Sequence, residues 1–280
     1  MLSAWVEMLG GEVKYYMAGT VKTRCLEAGD GEPLILLHGM GGHAETYIRN
    51  VVSLSRRFHV YAIDFVGHGF SDKPDLAYNI PDFVNHVRDF MQAVGIRQAH
   101  LSGESLGGWV SAWLAVESPE QVKKLLLNTA AGFHSPQSPA IAELRELSLK
   151  ALASPTRESV RKRLEWLVHD PRQMIEEIVE VRYHITQQKD FQQSMRKILN
   201  TLLGDSVTDY LLTDDTLGKI RVPTLFLWTT HNPGTPPEVA QKKQKLVPGS
   251  QFYLMEGCGH WPQFEQPEEF NNVALNFFSQ

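Results

Sequence analysis

The chain alternates between short apolar runs and segments whose apolar residues recur at helical spacing. A continuous apolar run that ends in glycine or polar residues is typical of a strand buried on both faces of a parallel sheet. Apolar residues at positions i, i+3, i+4 and i+7 are typical of a helix packed on such a sheet. The predicted strands are residues 13–17, 23–27, 33–37, 59–64, 98–102, 124–128, 222–228 and 251–255.

Helices separate most of these strands, and this order predicts the fold class. Helical patterns cover residues 44–54, 82–94 and 237–246, a segment after residue 105, and the end of the chain. Strands and helices at this spacing form right-handed crossovers and a mainly parallel sheet, with functional groups gathered at the carboxyl ends of the strands. We therefore predict an α/β protein with helices on both faces of an eight-stranded sheet, whose first two strands are antiparallel and lie at one edge.

The alternation stops between about residues 138 and 212, where no strand is predicted. The apolar residues there keep a helical period, and Pro155 and Pro171 each stand where a helix begins. This segment is interpreted as an inserted helical cap. The predicted division is a core of residues 1–133 and 215–280 and a cap of residues 134–214. The predicted cap helices are residues 141–152, 156–168, 172–185 and 191–203.

One glycine-rich turn has the context of a nucleophile. Gly103, Ser105 and Gly107 form a Gly-x-Ser-x-Gly pattern between a predicted strand and a predicted helix. In such a turn the serine occupies a strained backbone position that exposes its hydroxyl, and the glycines prevent collisions with the adjoining strand and helix. The pattern alone is weak, but its strand and helix favour Ser105 as a nucleophile over a serine in an ordinary loop.

Composition excludes several classes of function. The 280 residues are 42% hydrophobic and 21% charged, with a formal net charge of -5, which predicts a globular domain without a basic surface for nucleic acid. No apolar run is long enough to span a membrane and no leader is evident, so the cytoplasm is the expected location. Two cysteines, Cys25 and Cys258, are too few for a disulfide framework or a structural zinc site and are expected to be small buried residues.

A serine needs a base, and His260 is the best candidate among the 11 histidines. It lies on a glycine-flanked loop after the last predicted strand, at the same sheet edge as Ser105, and histidine titrates in the right range. His38, His43, His68 and His231 also follow strands, but structural or pocket-lining roles are favoured for them. The backbone amide of Leu106 and one from the glycine loop, that of Met40 or alternatively of Gly41, are positioned to form an oxyanion hole.

These motifs resemble those of the α/β-hydrolase family over essentially the whole chain. The finer resemblance is to the meta-cleavage-product hydrolases, which split a carbon–carbon bond in 2-hydroxy-6-oxo-dienoates. The histidine loop at residues 258–265 and the cap stretch at residues 174–183 carry that finer match. The resemblance implies an α/β-hydrolase fold and no cofactor or metal. The substrate-binding residues that it implies are Gly39, Gly41, Thr46, Arg182 and Trp261.

Two residues depart from the family pattern. Asn232 stands where the resemblance implies the acid of the catalytic triad, and the other acid position that is known in the fold, Asn128, is also an amide. Asn232 can orient His260 but cannot stabilise imidazolium as a carboxylate does; Glu256 or Asp205 could substitute, or the catalysis could have changed. Glu104 is expected to repel an anionic dienoate or to face away into solvent.

The leading hypothesis is a cofactor-free serine hydrolase of the meta-cleavage type. Ser105 would attack the ketone or activate water toward it, His260 would move protons, and Arg182 and Trp261 would bind the dienoate. The first alternative is a carboxylesterase that acts on small esters with the same machinery. The second is a hydrolase-like ligand receptor, which the amide at position 232 keeps open. The expected partner is a small-molecule substrate, with neither nucleic acid nor a membrane, and a homodimer is compatible with the resemblance.

Overall fold

A computed structural model of the chain describes residues 3–133 and 139–280, except for the side chains of residues 140, 151, 205 and 206. Its centre is an eight-stranded sheet in the order β1-β2-β4-β3-β5-β6-β7-β8. The first two strands run antiparallel at one edge and the other six are parallel to one another, as the sequence predicts. The strands are β1 (Glu12–Ala18), β2 (Val21–Ala28), β3 (Glu32–Leu37), β4 (Phe58–Ile63), β5 (Ala99–Glu104), β6 (Val122–Asn128), β7 (Thr224–Thr229) and β8 (Gln251–Met255).

Helices cover both faces of the sheet because alternate strand residues are apolar on both sides. In β3, for example, Ile35 and Leu37 pack into one apolar cluster while Leu34 and Leu36 pack into the other. The core helices are α1 (Ala4–Glu7), α2 (Val51–Leu54), α3 (Ile80–Ala93), α4 (Leu106–Glu117), with α9 (Asp214–Leu217), α10 (Pro237–Gln244), α11 (Pro262–Glu265) and α12 (Pro267–Ser279) after the cap; short 3-10 turns cover Ala44–Tyr47, Pro119–Gln121, Pro171–Gln173 and Asp205–Tyr210.

The cap is helical and lies between β6 and β7 in the chain. Its helices are α5 (Pro139–Ala153), α6 (Arg157–Glu165), α7 (Glu176–Thr186) and α8 (Lys189–Leu202). Thr156 starts α6, since its side chain accepts a hydrogen bond from the amide of Ser159 and its own amide donates one to the Ser159 hydroxyl. Two predicted bounds were too wide: α6 ends three residues early, and residues 171–173 form a separate 3-10 turn. The predicted start of the cap at residue 134 lies outside the described residues.

Another difference lies after β3, where the sequence predicts one helix over residues 44–54. The structure has instead a 3-10 turn, Ala44–Tyr47, and one helical turn, Val51–Leu54. Glu45 is buried there and bonds to Arg24 and His43, so its position follows ion pairing rather than helical period. Searched over its described residues, the chain contains no helix that combines the length and apolarity of a membrane span.

Candidate active site

The glycine-rich turn around Ser105 joins β5 to α4. Ser105 adopts φ 51° and ψ -113°, a left-handed backbone conformation that is strained for a residue with a side chain. A Cβ atom at Gly103 would lie 2.2 Å from the carbonyl of Gly107, and one at Gly107 would lie 2.1 Å from the oxygen of Leu37. Both positions therefore require glycine, and the turn presents Ser105 at the carboxyl end of the sheet.

A cavity of about 230 Å³ lies between this edge of the sheet and the cap. It is far larger than one water molecule needs and can hold a small organic molecule. Ser105, His260 and Asn232 share this cavity, and most of its wall is apolar. The aromatic and aliphatic lining includes Trp109, Phe133, Ile141, Leu144, Trp166 and Trp261.

One side of the His260 ring is held by Asn232. The ring atom Nδ1 lies 2.6 Å from Asn232 Oδ1, and Asn232 Nδ2 donates to the carbonyl of Thr235 at 2.9 Å. Because the second bond fixes which end of the amide faces the ring, Asn232 presents an acceptor and Nδ1 must carry the proton. The residue at the usual acid position therefore orients His260 without a negative charge.

The other side of the ring faces a carboxylate. His260 Nε2 lies 3.1 Å from Glu104 Oε1, and Glu104 Oε2 accepts a 2.6 Å hydrogen bond from the amide of Gly39. The Glu104 side chain is only 1% exposed, so the expectation that it faces solvent was wrong. Within the described ranges the Ser105 hydroxyl has no hydrogen-bond partner, although it lines the same cavity.

Two amides remain available for an oxyanion. Among the described residues, the N–H groups of Met40 and Leu106 donate no hydrogen bond, and both residues line the cavity. Such donors stabilise negative charge that develops on a carbonyl oxygen. The amide of Gly39 is not available, because Glu104 occupies it.

Not every residue in the predicted substrate-binding set lines the main cavity. Gly41 lines a smaller cavity of about 50 Å³ under the cap. Thr46 is fully buried and lines neither cavity, so the structure does not support its predicted contact with substrate. Thr46 belongs to the 3-10 turn Ala44–Tyr47, all of whose residues are buried. Trp261 is 2% exposed and lines the main cavity next to His260.

The histidine loop is fixed by a buried carboxylate. Glu265 accepts hydrogen bonds from the amides of Gly259 and Trp261 in the loop and from the amide of His169 in the cap. The amide of His260 donates to the carbonyl of Leu167, a second contact between loop and cap. The position of His260 therefore depends on the cap as well as on β8.

Two cap arginines border the cavity opposite the sheet. Arg182 on α7 is 9% exposed, and its Nε and Nη2 atoms have no hydrogen-bond partner in the part of the chain that the structure describes. Burial, together with nearby Arg163, lowers the pKa of Arg182 to about 9, which leaves it cationic at neutral pH. Arg163 on α6 lines the same cavity, and burial lowers its pKa to about 10. The cavity therefore offers two positive charges to a ligand.

The other histidines and acids have different surroundings. His38, His43 and His68 are fully buried and line neither cavity, and burial lowers the pKa of each. Asn128 donates to Gln263 rather than to His260. Glu256 is exposed on the surface, and the side chain of Asp205 lies outside the described residues. Sequence reasoning missed Arg163 and the contact between Glu104 and His260; the only signal for the contact was the glycine at position 39, where a Cβ atom would lie 2.6 Å from the Glu104 carboxylate.

The sheet order, the strained serine turn and the histidine in the same cavity define the class of protein as an α/β hydrolase. The chain belongs to this family: the family model described as "alpha/beta hydrolase fold" matches residues 32–267. A 2-hydroxy-6-oxo-6-(2'-aminophenyl)hexa-2,4-dienoic acid hydrolase from Metapseudomonas resinovorans is 30% identical over 99% of this chain and 92% of the relative. A 2-hydroxy-6-oxo-2,4-heptadienoate hydrolase from Pseudomonas putida is 28% identical over 94% of this chain and 95% of the relative.

Solved structures agree with these relatives. The meta-cleavage product hydrolase from Pseudomonas fluorescens IP01, solved as a mutant complexed with acetates, superposes with a TM-score of 0.84 at 26% identity. The match covers 95% of this chain and 97% of that one. The chain is therefore a hydrolase whose relatives include hydrolases of meta-cleavage products.

Proposed function

We propose that the protein hydrolyses the carbon–carbon bond next to the ketone of 2-hydroxy-6-oxo-dienoates, using Ser105 as nucleophile and His260 as base. The observation that carries this proposal is Arg182, a buried cation with unpartnered nitrogens, among the described residues, in the same cavity as Ser105. A cation buried without a partner is costly, so a ligand that supplies a carboxylate is favoured there. The relatives that act on 2-hydroxy-6-oxo-dienoates support this class of substrate.

The cavity fits the two ends of such a molecule. Its carboxylate would bind Arg182, with Arg163 adding positive charge, and its ketone would lie between Ser105 and the oxyanion amides. The conjugated chain between these ends is flat and apolar, as is most of the cavity wall. Trp261 contributes one aromatic surface beside the base.

The chemistry follows from the position of these groups. Ser105 Oγ forms a bond to the ketone carbon while its proton passes to His260 Nε2, and the amides of Met40 and Leu106 hold the oxyanion. The carbon–carbon bond then breaks, and its electron pair is accepted through the double bonds by the carbonyl at the acid end of the substrate. This requires the 2-hydroxy group to have become a 2-oxo group beforehand, with a proton added at the leaving carbon. Water then cleaves the acyl-serine.

The charge of Glu104 does not oppose an anionic substrate. Arg163 and Arg182 together outweigh the single carboxylate, and Glu104 in turn raises the pKa of both arginines against the effect of burial. Contact with His260 Nε2 also directs the Glu104 carboxylate toward the base. The expected repulsion of a dienoate is therefore offset within the site.

The proposal is tested by giving the purified protein a 2-hydroxy-6-oxo-dienoate and p-nitrophenyl esters in parallel assays. We expect the dienoate to be consumed, with the acid and the 2-hydroxydienoate formed in equal amounts, and expect Ser105→Ala to abolish this turnover. Ester hydrolysis with an untouched dienoate would instead assign the protein to the carboxylesterases. Failure to turn over either substrate, together with a Ser105 that no fluorophosphonate labels, would favour a receptor.

A further inference from the structure

The His260 ring lies between an amide and a carboxylate. Asn232 presents its amide oxygen to Nδ1, which assigns one ring proton to that nitrogen. Nε2 of the neutral ring would then be an acceptor, and it lies 3.1 Å from Glu104 Oε1, which is also an acceptor when ionised. At this distance an ionised Glu104 is an ion-pair partner for Nε2 once the ring is protonated. His260 and Glu104 therefore form a pair that favours the charged ring.

Glu104 can supply the negative charge that Asn232 does not provide at the acid position of the triad. When Ser105 loses its proton to Nε2, the ring becomes imidazolium, and the amide of Asn232 cannot compensate that charge. Within the described part of the chain, Glu104 is the only carboxylate that the His260 ring contacts. It is almost fully buried, so its attraction to the ring is weakly screened by water.

We propose that Glu104 is the residue that stabilises protonated His260, acting from Nε2, while Asn232 only orients the ring from Nδ1. The Ser105 proton passes to Nε2 of the neutral ring as the bond from Oγ to the substrate carbonyl forms, and the ionised Glu104, 3.1 Å from Nε2, compensates the charge of the resulting imidazolium. Glu104 is thus a positioning and charge-compensating residue that acts on substrate only through His260.

The position of the Glu104 side chain is fixed by its surroundings. The Gly39 amide holds its Oε2, and any side chain at position 39 would place a Cβ atom within 2.7 Å of both carboxylate oxygens. The charged and titratable groups that face the pair are Arg163 and Arg182 from the cap and Tyr47 from the 3-10 turn; burial and Glu104 raise the pKa of Tyr47. The two arginines add positive charge on the cap side of the carboxylate, and the phenol stays neutral.

The test uses the rate at which a fluorophosphonate labels Ser105, which needs no substrate. Glu104→Gln keeps an oxygen for Gly39 but removes the charge, so we expect labelling to slow by about 100-fold or more, toward the roughly 10⁴-fold loss seen when a serine protease loses its acid. The acid limb of the pH profile, which reports the free enzyme's base, should move to lower pH. Circular dichroism and thermal melting check that the variant is folded.

Rescue separates charge compensation from a purely structural role. Asn232→Asp places a carboxylate on Nδ1, so the double variant E104Q/N232D should recover at least about tenfold of the lost rate, and its acid limb should return toward that of the parent. Asn232→Asp alone is the matched control for tolerance of aspartate at this position. A folded Glu104→Gln protein with the parent's rate and pH profile would overturn the inference, as would a folded double variant that shows no rescue.

This inference rests on the proposed Ser105 and His260 chemistry, and the two can fail separately. If the parent protein is not labelled, the proposed nucleophile is wrong. If the parent is labelled and Glu104→Gln is labelled equally fast, only the role of Glu104 is wrong. Should Glu104→Gln fail to fold, Glu104→Asp retains the charge but withdraws it by one methylene. A smaller change in the same direction supports the inference, and an unchanged rate and profile contradict it.

Discussion

Two buried arginines, Arg24 in the core and Arg182 in the cap, have opposite surroundings. Arg24 is 5% exposed and lies against two carboxylates, Glu45 at 2.5 Å and Asp64 at 3.4 Å. Arg182 is 9% exposed, yet its Nε and Nη2 atoms find no hydrogen-bond acceptor among the described residues. The fold compensates one buried cation completely and leaves the other to face a cavity.

This difference distinguishes an arginine that stabilises the core from one whose charge is available to a ligand. Burying an uncompensated charge costs free energy, which is why buried charges in a core are paired. The Arg24 cluster joins β2 to the 3-10 turn after β3 and to the end of β4, so its pairing stabilises the core beneath the site. The guanidinium of Arg182 has no comparable structural role among the described residues and is available to a ligand.

The largest expected effect is on stability. Arg24→Met should lower the free energy of unfolding by about 3–5 kcal/mol, because it leaves Glu45 and Asp64 buried without their shared cation. Arg182→Met is the matched comparison and should leave the free energy of unfolding within about 1 kcal/mol of the parent or raise it. Urea denaturation followed by circular dichroism measures both. Equal losses in the two variants would show that Arg182 also has a structural partner.

The next effect is on catalysis. Here the substitution of Arg182 should have a large effect, although its effect on the free energy of unfolding is small. Arg182→Met removes a charged hydrogen-bonding partner worth about 3 kcal/mol, so kcat/KM for a 2-hydroxy-6-oxo-dienoate should fall about 100-fold. The labelling rate of Ser105 by a neutral fluorophosphonate should change little, since no carboxylate is involved. Arg182→Lys keeps the charge but loses the planar fork of the guanidinium. Its kcat/KM should therefore lie between that of the parent and that of Arg182→Met. A loss of labelling equal to the loss of turnover would mean that Arg182 supports the nucleophile rather than the substrate.

The same contrast shows what the sequence could predict. All eight strands and the helical cap follow from the spacing of apolar residues, because burial of apolar surface determines them. The helix over residues 44–54 was wrong because Glu45 is placed by its bonds to Arg24 and His43, and an apolar period carries no information on ion pairs.

At the candidate site, motifs that are local in sequence predicted which residues lie together in the cavity. Ser105 and Asn232 lie at the ends of strands in recognisable turns, and the structure places both beside His260 in one cavity. The partner of His260 Nε2 could not be predicted, because Glu104 meets the ring only once β5 and the loop after β8 come together. Arg163 was missed since one arginine on an amphipathic helix resembles any solvated residue.

The smallest effect concerns this second cap arginine. Arg163 Nε donates to Ser148 Oγ at 3.2 Å, and its guanidinium lies 5.2 Å from the centre of the Trp166 ring. Part of the capacity of this guanidinium to bind a ligand is therefore already used within the protein. Its Nη1 is buried and has no hydrogen-bond partner in the described ranges, and the side chain lines both cavities. We therefore expect Arg163→Leu to lower kcat/KM for the dienoate about tenfold, the equivalent of one weaker charged hydrogen bond of about 1.5 kcal/mol.

Lys162→Leu provides the matched control for Arg163→Leu. It removes the same charge one residue away, from an exposed side chain that pairs with Glu158 and lines neither cavity. Exposed charges are screened by salt, so this variant should keep the parent's kcat/KM at physiological ionic strength. If both variants lose activity equally, and the loss disappears in high salt, Arg163 acts through the overall field of the cap. A loss confined to Arg163→Leu and persistent in high salt shows that the guanidinium contacts the bound anion directly.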